Sequence, residues 1–273
     1  MEAGLLNKIF FLVFIVFFCN KVLAVEFQGK FTQGSFILGK TNADAKVTID
    51  NTKVKVSKNG YFVFGIGRDR KNDVVIKILL DKHLEVITKK VYKRKYKIQR
   101  IDGLPKKQVT PPKEVYERIK KDNVLIGEAR SINSDYNFFE KKFVKPLDKS
   151  IVTGVYGSQR ILNGKPRRPH YGLDFAAPEG TPIMAMLDGI VTLAEPDLYF
   201  TGGTLIFDHG HGISTLYMHL KDINVKKGQK IKQGQIVGTV GKTGRSTGPH
   251  LDIRLNWFNV KLDPETVLKL KWV

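Results

Sequence analysis

Cysteine is almost missing from this chain. The 273 residues hold one, Cys19, and only two tryptophans and four methionines. Cys19 lies in the apolar run Ile9 to Cys19, so residues 25–273 hold no disulfide and no thiolate metal ligand. Any metal there must be held by imidazole and carboxylate. Long apolar runs are also lacking. The run Ile9 to Cys19 is eleven residues, short of the ~18–20 needed to cross a bilayer. With Lys8 before it and Val22-Leu23-Ala24 after it, it has the pattern of a cleaved export signal at residues 1–24. An uncleaved N-terminal anchor is the other reading. Phe17 and Phe18 are too bulky for a lipoprotein cleavage site ahead of Cys19. Acidic residues are the third scarcity. Asp and Glu number 26 against 46 Lys and Arg, a net charge of +20, or +19 after loss of residues 1–24. In an exported chain that excess points to an anionic envelope rather than to nucleic acid. The basic stretch Lys89 to Lys97 has apolar residues partly spaced by two, which predicts a strand with a solvated lysine face.

Residues 25–104 are expected to form a small β-sandwich. Lys46-Val47-Thr48-Ile49-Asp50, Val54 to Ser57, Tyr61 to Phe64 and Val74 to Ile78 are short strand patterns. Lys58-Asn59-Gly60 is expected to be a hairpin turn, because Asn and Gly tolerate positive φ. His83 stands alone there and carries no constellation. Residues 105–145 form a proline-bearing linker. Thr110 is expected to cap a helix with Pro111 in its first position, followed by helical spacing from Glu114 to about Phe139. Residues 146–273 return to glycine-punctuated strands with almost no helical periodicity. The fold class is therefore all-β.

The chemistry concentrates in that last segment. His170-Tyr171-Gly172-Leu173-Asp174 offers an imidazole and a carboxylate four residues apart. Pro169, Gly172 and Pro178 argue against a helix, and a straight strand would set the two Cα atoms ~13 Å apart. The segment is expected to bend at Gly172. In His250-Leu251-Asp252 the two polar side chains share one face of a strand, ~7 Å apart, with Leu251 facing the core. His219, in Tyr217-Met218-His219-Leu220, supplies a further imidazole. These residues suffice for a mononuclear zinc site with acid–base groups beside it. The glycine-rich run Gly241 to Gly248 is not a phosphate-binding loop, since its Gly-Lys-Thr would need a glycine where Ile236 stands. His209-Gly210-His211 reads as a hairpin turn. Lys165, Arg167 and Arg168 precede His170 and are candidates for contacting substrate carboxylates.

An ordered set of motifs from about Ser150 to Pro264 resembles the lysostaphin-type (LytM-like) zinc metalloendopeptidases of peptidoglycan. It comprises His170-Tyr-Gly-Leu-Asp174, Gly180-Thr-Pro-Ile-Met-Ala185, Asp188-Gly189, His209-Gly210, Tyr217-Met-His219-Leu, Gly234-Gln235 and Gly244-x-Ser-Thr-Gly-Pro-His250-Leu. The tail from Trp257 to Pro264 and the N-terminal β-domain resemble exported Gram-negative members. The resemblance implies an antiparallel β domain of the duplicated-hybrid-motif type. It implies one Zn2+ held by His170, Asp174 and the residue at 252, with His219 and His250 assisting catalysis. It also implies peptidoglycan stem peptides as substrates and a periplasmic or envelope location. The chain departs from the family at the third ligand, which is Asp252 in place of histidine. Aspartate is a legitimate zinc ligand, and a His, Asp, Asp set makes the zinc site formally neutral. The alternative that Asp252 sustains is a zinc-free regulatory module that activates a cell-wall amidase partner. A lipoyl-like carrier barrel, suggested by Val225-Lys-Lys-Gly-Gln-Lys-Ile, lacks the carrier-lysine motif. No nucleic acid and no stable membrane insertion after signal cleavage are expected.

Overall fold

The computed structural model of the protein describes residues 25–103 and 109–272. The expected export signal, residues 1–24, lies outside the described residues, as does part of the expected linker. The described residues are mostly β, with 44% strand and 11% helix, the strands paired almost entirely antiparallel. Among the described residues no helix is long and apolar enough to cross a membrane.

Seven strands come first: β1 (Glu26–Gln28), β2 (Phe36–Lys40), β3 (Lys46–Ile49), β4 (Thr52–Val54), β5 (Tyr61–Gly65), β6 (Val74–Leu80) and β7 (His83–Lys89). They make two sheets, ordered β1-β2-β5 and β4-β3-β6-β7. Alternation along β6 buries Val74, Ile76 and Ile78 in one core with Phe62 and Phe64, which share a face of the other sheet. Two expectations fail here. The Lys58-Asn59-Gly60 turn joins no hairpin, because β5 pairs with β2 and not with β4. Gly60 instead turns the chain from one sheet to the other, at φ +80°. The hairpin sits at Asp50-Asn51, between β3 and β4, where both residues adopt positive φ. The basic stretch is not one strand either. β7 ends at Lys89, and Tyr92 makes only an isolated bridge to Thr32. Beyond it, Arg94 is drawn to the buried carboxylate of Asp263, and Tyr96 lies under the Arg68 guanidinium. Tertiary partners, not ladder pairing, set that segment.

β8 (Ile98–Ile101) leads to the linker. Helix α1 spans Tyr116–Arg130, behind a 3-10 turn at Lys113–Val115 whose N-cap is Pro112. Thr110 does not cap it, and the Val115 cap position makes no side-chain hydrogen bond.

The remaining strands are β9 (Ile151–Gly154), β10 (Gln159–Leu162), β11 (Lys165–Pro166), β12 (Leu173–Ala176), β13 (Pro182–Met184), β14 (Gly189–Leu198), β15 (Gly202–Gly210), β16 (Ile213–Ile223), β17 (Lys230–Ile231), β18 (Ile236–Val240), β19 (His250–Trp257) and β20 (Val260–Leu262). A short helix, α2 (Pro264–Leu268), follows, capped by the Asp263 side chain. Ten of these strands form one sheet, whose main path is β17-β14-β15-β16-β19-β12-β9. β8 pairs in parallel with β10, which pairs with β11.

The two faces of the ten-stranded sheet differ, and that difference positions the site. On one face Phe175, Leu205, Tyr217, Leu251, Ile253 and Leu255 enter the main core. On the other, Leu193, Ile206, Leu216 and Met218 are covered by Ile126 and Ala129 of α1. Along β19 and β12 that second face carries Asp252, Arg254 and Asp174 instead of apolar residues.

Candidate active site

Asp174 on β12 and Asp252 on β19 are directly opposed across an antiparallel pair. Both are buried, 7% and 2% exposed. Like charges in that position repel unless a counter-charge lies between them. The fold makes room for the pair with two glycines. A Cβ on Gly154, which faces Asp174 from β9, would lie 2.1 Å from Asp174 Oδ2. A Cβ on Gly172 would lie 2.0 Å from Asp252 Oδ1. Gly172 therefore serves close approach and does not adopt a positive φ.

His170 precedes β12, its backbone fixed to the preceding loop by hydrogen bonds with Ser158 and Gly157. Its Nε2 lies 3.0 Å from Asp174 Oδ1. The chain does bend enough to bring these two together. Ligand atoms of His170, Asp174 and Asp252 all lie within 4.8 Å of one another. Both ring nitrogens of His170, Oδ1 of Asp174 and Oδ1 of Asp252 are buried without a hydrogen-bond partner. Burial alone would raise the Asp252 carboxyl. Arg254, His170 and His219 outweigh it and hold the group below the usual carboxylate range. A buried anion pair with unpartnered inner oxygens beside an unpartnered imidazole fits a divalent cation.

His219 and His250 face this group. Their ring centroids are 4.7 Å apart. His219 lies on β16 at a bulge, where two residues, Met218 and His219, oppose one on β15. Its φ of +67° turns the side chain away from the core face that Tyr217 occupies. Nδ1 of His219 is 2.8 Å from the Thr243 carbonyl oxygen, so that nitrogen donates and Nε2 keeps its lone pair. Burial, only partly offset by Asp252, lowers this imidazole to about 4. His250 opens β19. Its Nδ1 lies 2.8 Å from the Gly248 carbonyl and 3.1 Å from Ser246 Oγ, which leaves its Nε2 as the free base too. The glycine-rich loop thus fixes both tautomers through its backbone.

His209 and His211 stay apart from the site. His211 does sit in the β15–β16 turn, at φ +51°. His209 does not. It is buried inside β15, bonded to the Asp188 carbonyl at 2.7 Å and to Thr215 Oγ1 at 2.8 Å. Burial lowers its imidazole to about 4. Of the basic residues before His170, Arg167 is tied to Val109 O and Thr110 Oγ1, and Lys165 is exposed on β11. Sequence reasoning passed over Arg160 and Arg254. Arg254 Nη2 reaches Asp252 Oδ2 at 3.2 Å, and Arg160 Nη2 reaches Asp174 Oδ2 at 3.6 Å. The period-2 rule that joined His250 to Asp252 extends to Arg254 and would have found it. Nothing local marks Arg160.

A model of peptidase family M23 matches residues 168–264. The peptidoglycan DD-endopeptidase ShyA of Vibrio cholerae is 47% identical over 87 residues, which are 32% of this chain and 20% of that protein. The peptidoglycan DD-endopeptidase ShyC of the same organism is 37% identical over 131 residues, 47% of this chain and 30% of that protein. The chain thus spans less than a third of the length of either relative. A solved structure from Pseudomonas aeruginosa assigned to peptidase M23 superposes with a TM-score of 0.68 at 27% identity, covering 88% of this chain and 95% of that one.

Proposed function

We propose, on the premise of the peptidase family M23 domain matched by residues 168–264, that the chain is an exported, single-zinc endopeptidase that hydrolyses amide bonds in peptidoglycan cross-links. The observation that carries this reading is the opposed Asp174–Asp252 pair, with unpartnered inner oxygens and His170 beside it. Relatives that are peptidoglycan DD-endopeptidases support the substrate class.

In this mechanism His170, Asp174 and Asp252 would hold the zinc. When bound, it supplies Lewis acidity toward the scissile carbonyl and makes water a stronger acid. The chain does the rest. The free Nε2 atoms of His219 and His250 receive the proton of the attacking water and return it to the departing amine. A buried His219 with a pKa of about 4 is neutral at neutral pH and, once protonated, gives the proton up readily. Gly248 and Thr243 keep both rings in the tautomer this transfer requires. Arg254 holds the outer oxygen of Asp252, which leaves Oδ1 for the ion. That contact orients a carboxylate placed where the family has an imidazole.

One observation favours the second reading, a zinc-free module that activates an amidase. Arg160 and Arg254 beside the two aspartates are a built-in counter-charge. Against it, they touch only outer oxygens, and the inner ones accept no hydrogen bond and face His170. The test is digestion of purified sacculi by residues 25–273, with zinc and with chelator. Soluble muropeptides that vanish with chelator support the endopeptidase, and their masses name the bond. Absence of release from folded, zinc-loaded protein overturns it and directs the search to amidases.

A further inference from the structure

A groove of about 540 Å³ is lined by α1 and by Phe200, which lies in the β14–β15 turn. Tyr116, Ile119 and Val124 give it apolar walls, and Lys120 and Asn123 bring polar groups to it. Tyr116 and Val124 are 50% and 51% exposed, so the apolar lining is open to solvent. Neither Lys120 nor Asn123 has a hydrogen-bond or ionic partner among the described residues.

The walls are fixed in place. Arg118 donates to the carbonyl and carboxylate of Asp197, and the Tyr199 N–H donates to Asp122, which ties α1 to the β14–β15 turn. Ile126 and Ala129 hold the helix to the sheet. Phe200 meets the Tyr199 ring edge-on at 4.9 Å and carries the Arg245 guanidinium 4.5 Å from its own centre. The same turn supports the candidate active site. The Thr201 carbonyl accepts the His219 N–H, and the Phe200 carbonyl accepts the N–H of Arg245, on the loop that leads to His250. The groove is therefore built onto backbone that holds both histidines.

Its lining decides what it can take. An alkyl chain would make no use of Lys120 and Asn123, and a polyanion would find one cation among the lining side chains. A sugar ring uses both kinds of wall. Its apolar C–H face suits the rings of Tyr116 and Phe200, and its hydroxyl and acetamido groups suit the ammonium of Lys120 and the amide of Asn123. The volume is that of a small-molecule site, and rigid walls lower the ordering cost of binding. We propose that this groove is a glycan subsite that seats an N-acetylated amino sugar of the strand whose peptide enters the metal site. This rests on the endopeptidase reading and adds a glycan requirement to it.

Calorimetry of the zinc-loaded protein with an N-acetylglucosamine tetrasaccharide tests the subsite apart from any cleavage. Tyr116→Ala should weaken binding about tenfold, as for loss of an aromatic contact, and Tyr116→Trp should keep it. Tyr116 is half exposed, so neither variant disturbs the core. A parallel assay follows cleavage of a cross-linked muropeptide and of the same peptide freed of its sugars. The wild-type protein should prefer the muropeptide, and Tyr116→Ala should narrow that preference. Absence of tetrasaccharide binding by the wild-type protein overturns the subsite. Binding that Tyr116→Ala leaves intact also overturns it, because the sugar then sits elsewhere. Binding that Tyr116→Ala weakens, without cleavage of either substrate, upholds the subsite and sinks the peptidase reading. Equal cleavage of both substrates with no tetrasaccharide binding does the reverse.

Discussion

Gly172→Ala should disable metal binding without touching a ligand. The new Cβ would lie 2.0 Å from Asp252 Oδ1, 2.9 Å from its Cγ and 2.9 Å from the Ile253 carbonyl oxygen. Gly172 has no positive φ, so the substitution brings steric pressure and no backbone strain. Restoring contact to ~3 Å or more forces the carboxylate oxygen to move about 1 Å, enough to cost a ligand its place; such overpacking also costs about 1–3 kcal/mol of stability. A loss of about 100-fold in zinc affinity is expected. Thermal melting reads it. With zinc at about 1,000 times the wild-type Kd, binding stabilises by about 4 kcal/mol, a rise of about 8–16 °C for a chain of this size. At the same zinc concentration the variant retains about 1.4 kcal/mol, or about 3–6 °C. Gly127→Ala is the control, since a Cβ there meets nothing within 4 Å and a helical alanine is favoured. A full zinc-induced rise in Gly172→Ala would refute the argument that this glycine exists to admit Asp252.

The buried His209 makes stability depend on pH: its folded-state pKa of about 4 lies below the unfolded value near 6.5. The unfolded chain therefore binds the proton first, and stability is full above about pH 6.5 and falls by about 3 kcal/mol as the pH drops toward 4. Urea unfolding at pH 7 and 4.5 should show a smaller pH dependence in His209→Gln than in the wild type, and an unchanged one contradicts the assignment. Asp263 is buried, caps α2 and pairs with Arg94, so Asp263→Ala should cost about 3–5 kcal/mol in urea titrations. A cost below about 1 kcal/mol would mean the pair is solvent-screened. With its large basic excess, the protein should bind sacculi strongly at low salt and weakly at high salt, and pelleting across a salt series would expose a salt-independent association.

The strands of the C-terminal sheet were largely legible, because Ile183, Ile190 to Leu193, Thr204 to Phe207 and Leu251 to Leu255 carry β-branched and alternating patterns between glycines. The N-terminal turns were less so. Asn-Gly marks a turn, but whether a turn closes a hairpin depends on which strands pair, and that is decided by packing between the sheets. Arg160 had no local signature at all, since it meets Asp174, fourteen residues on, only across the folded structure.

The sequence alone determined the donor set. With no cysteine after residue 24, a metal in this chain has only imidazoles and carboxylates to choose from, and strand periodicity puts His250, Asp252 and Arg254 on one face. Tertiary structure decided what those residues meet. Cross-strand register set Asp174 opposite Asp252, and two distant glycines cleared the space for their oxygens. The bulge at His219 is the sharpest case. Strict alternation after Tyr217 would send this imidazole into the main core, and one extra residue in the ladder, at positive φ, turns it to the site. Local periodicity fixes a side chain's face only while the ladder is regular, and the ladder's irregularities are set by the strands beside it.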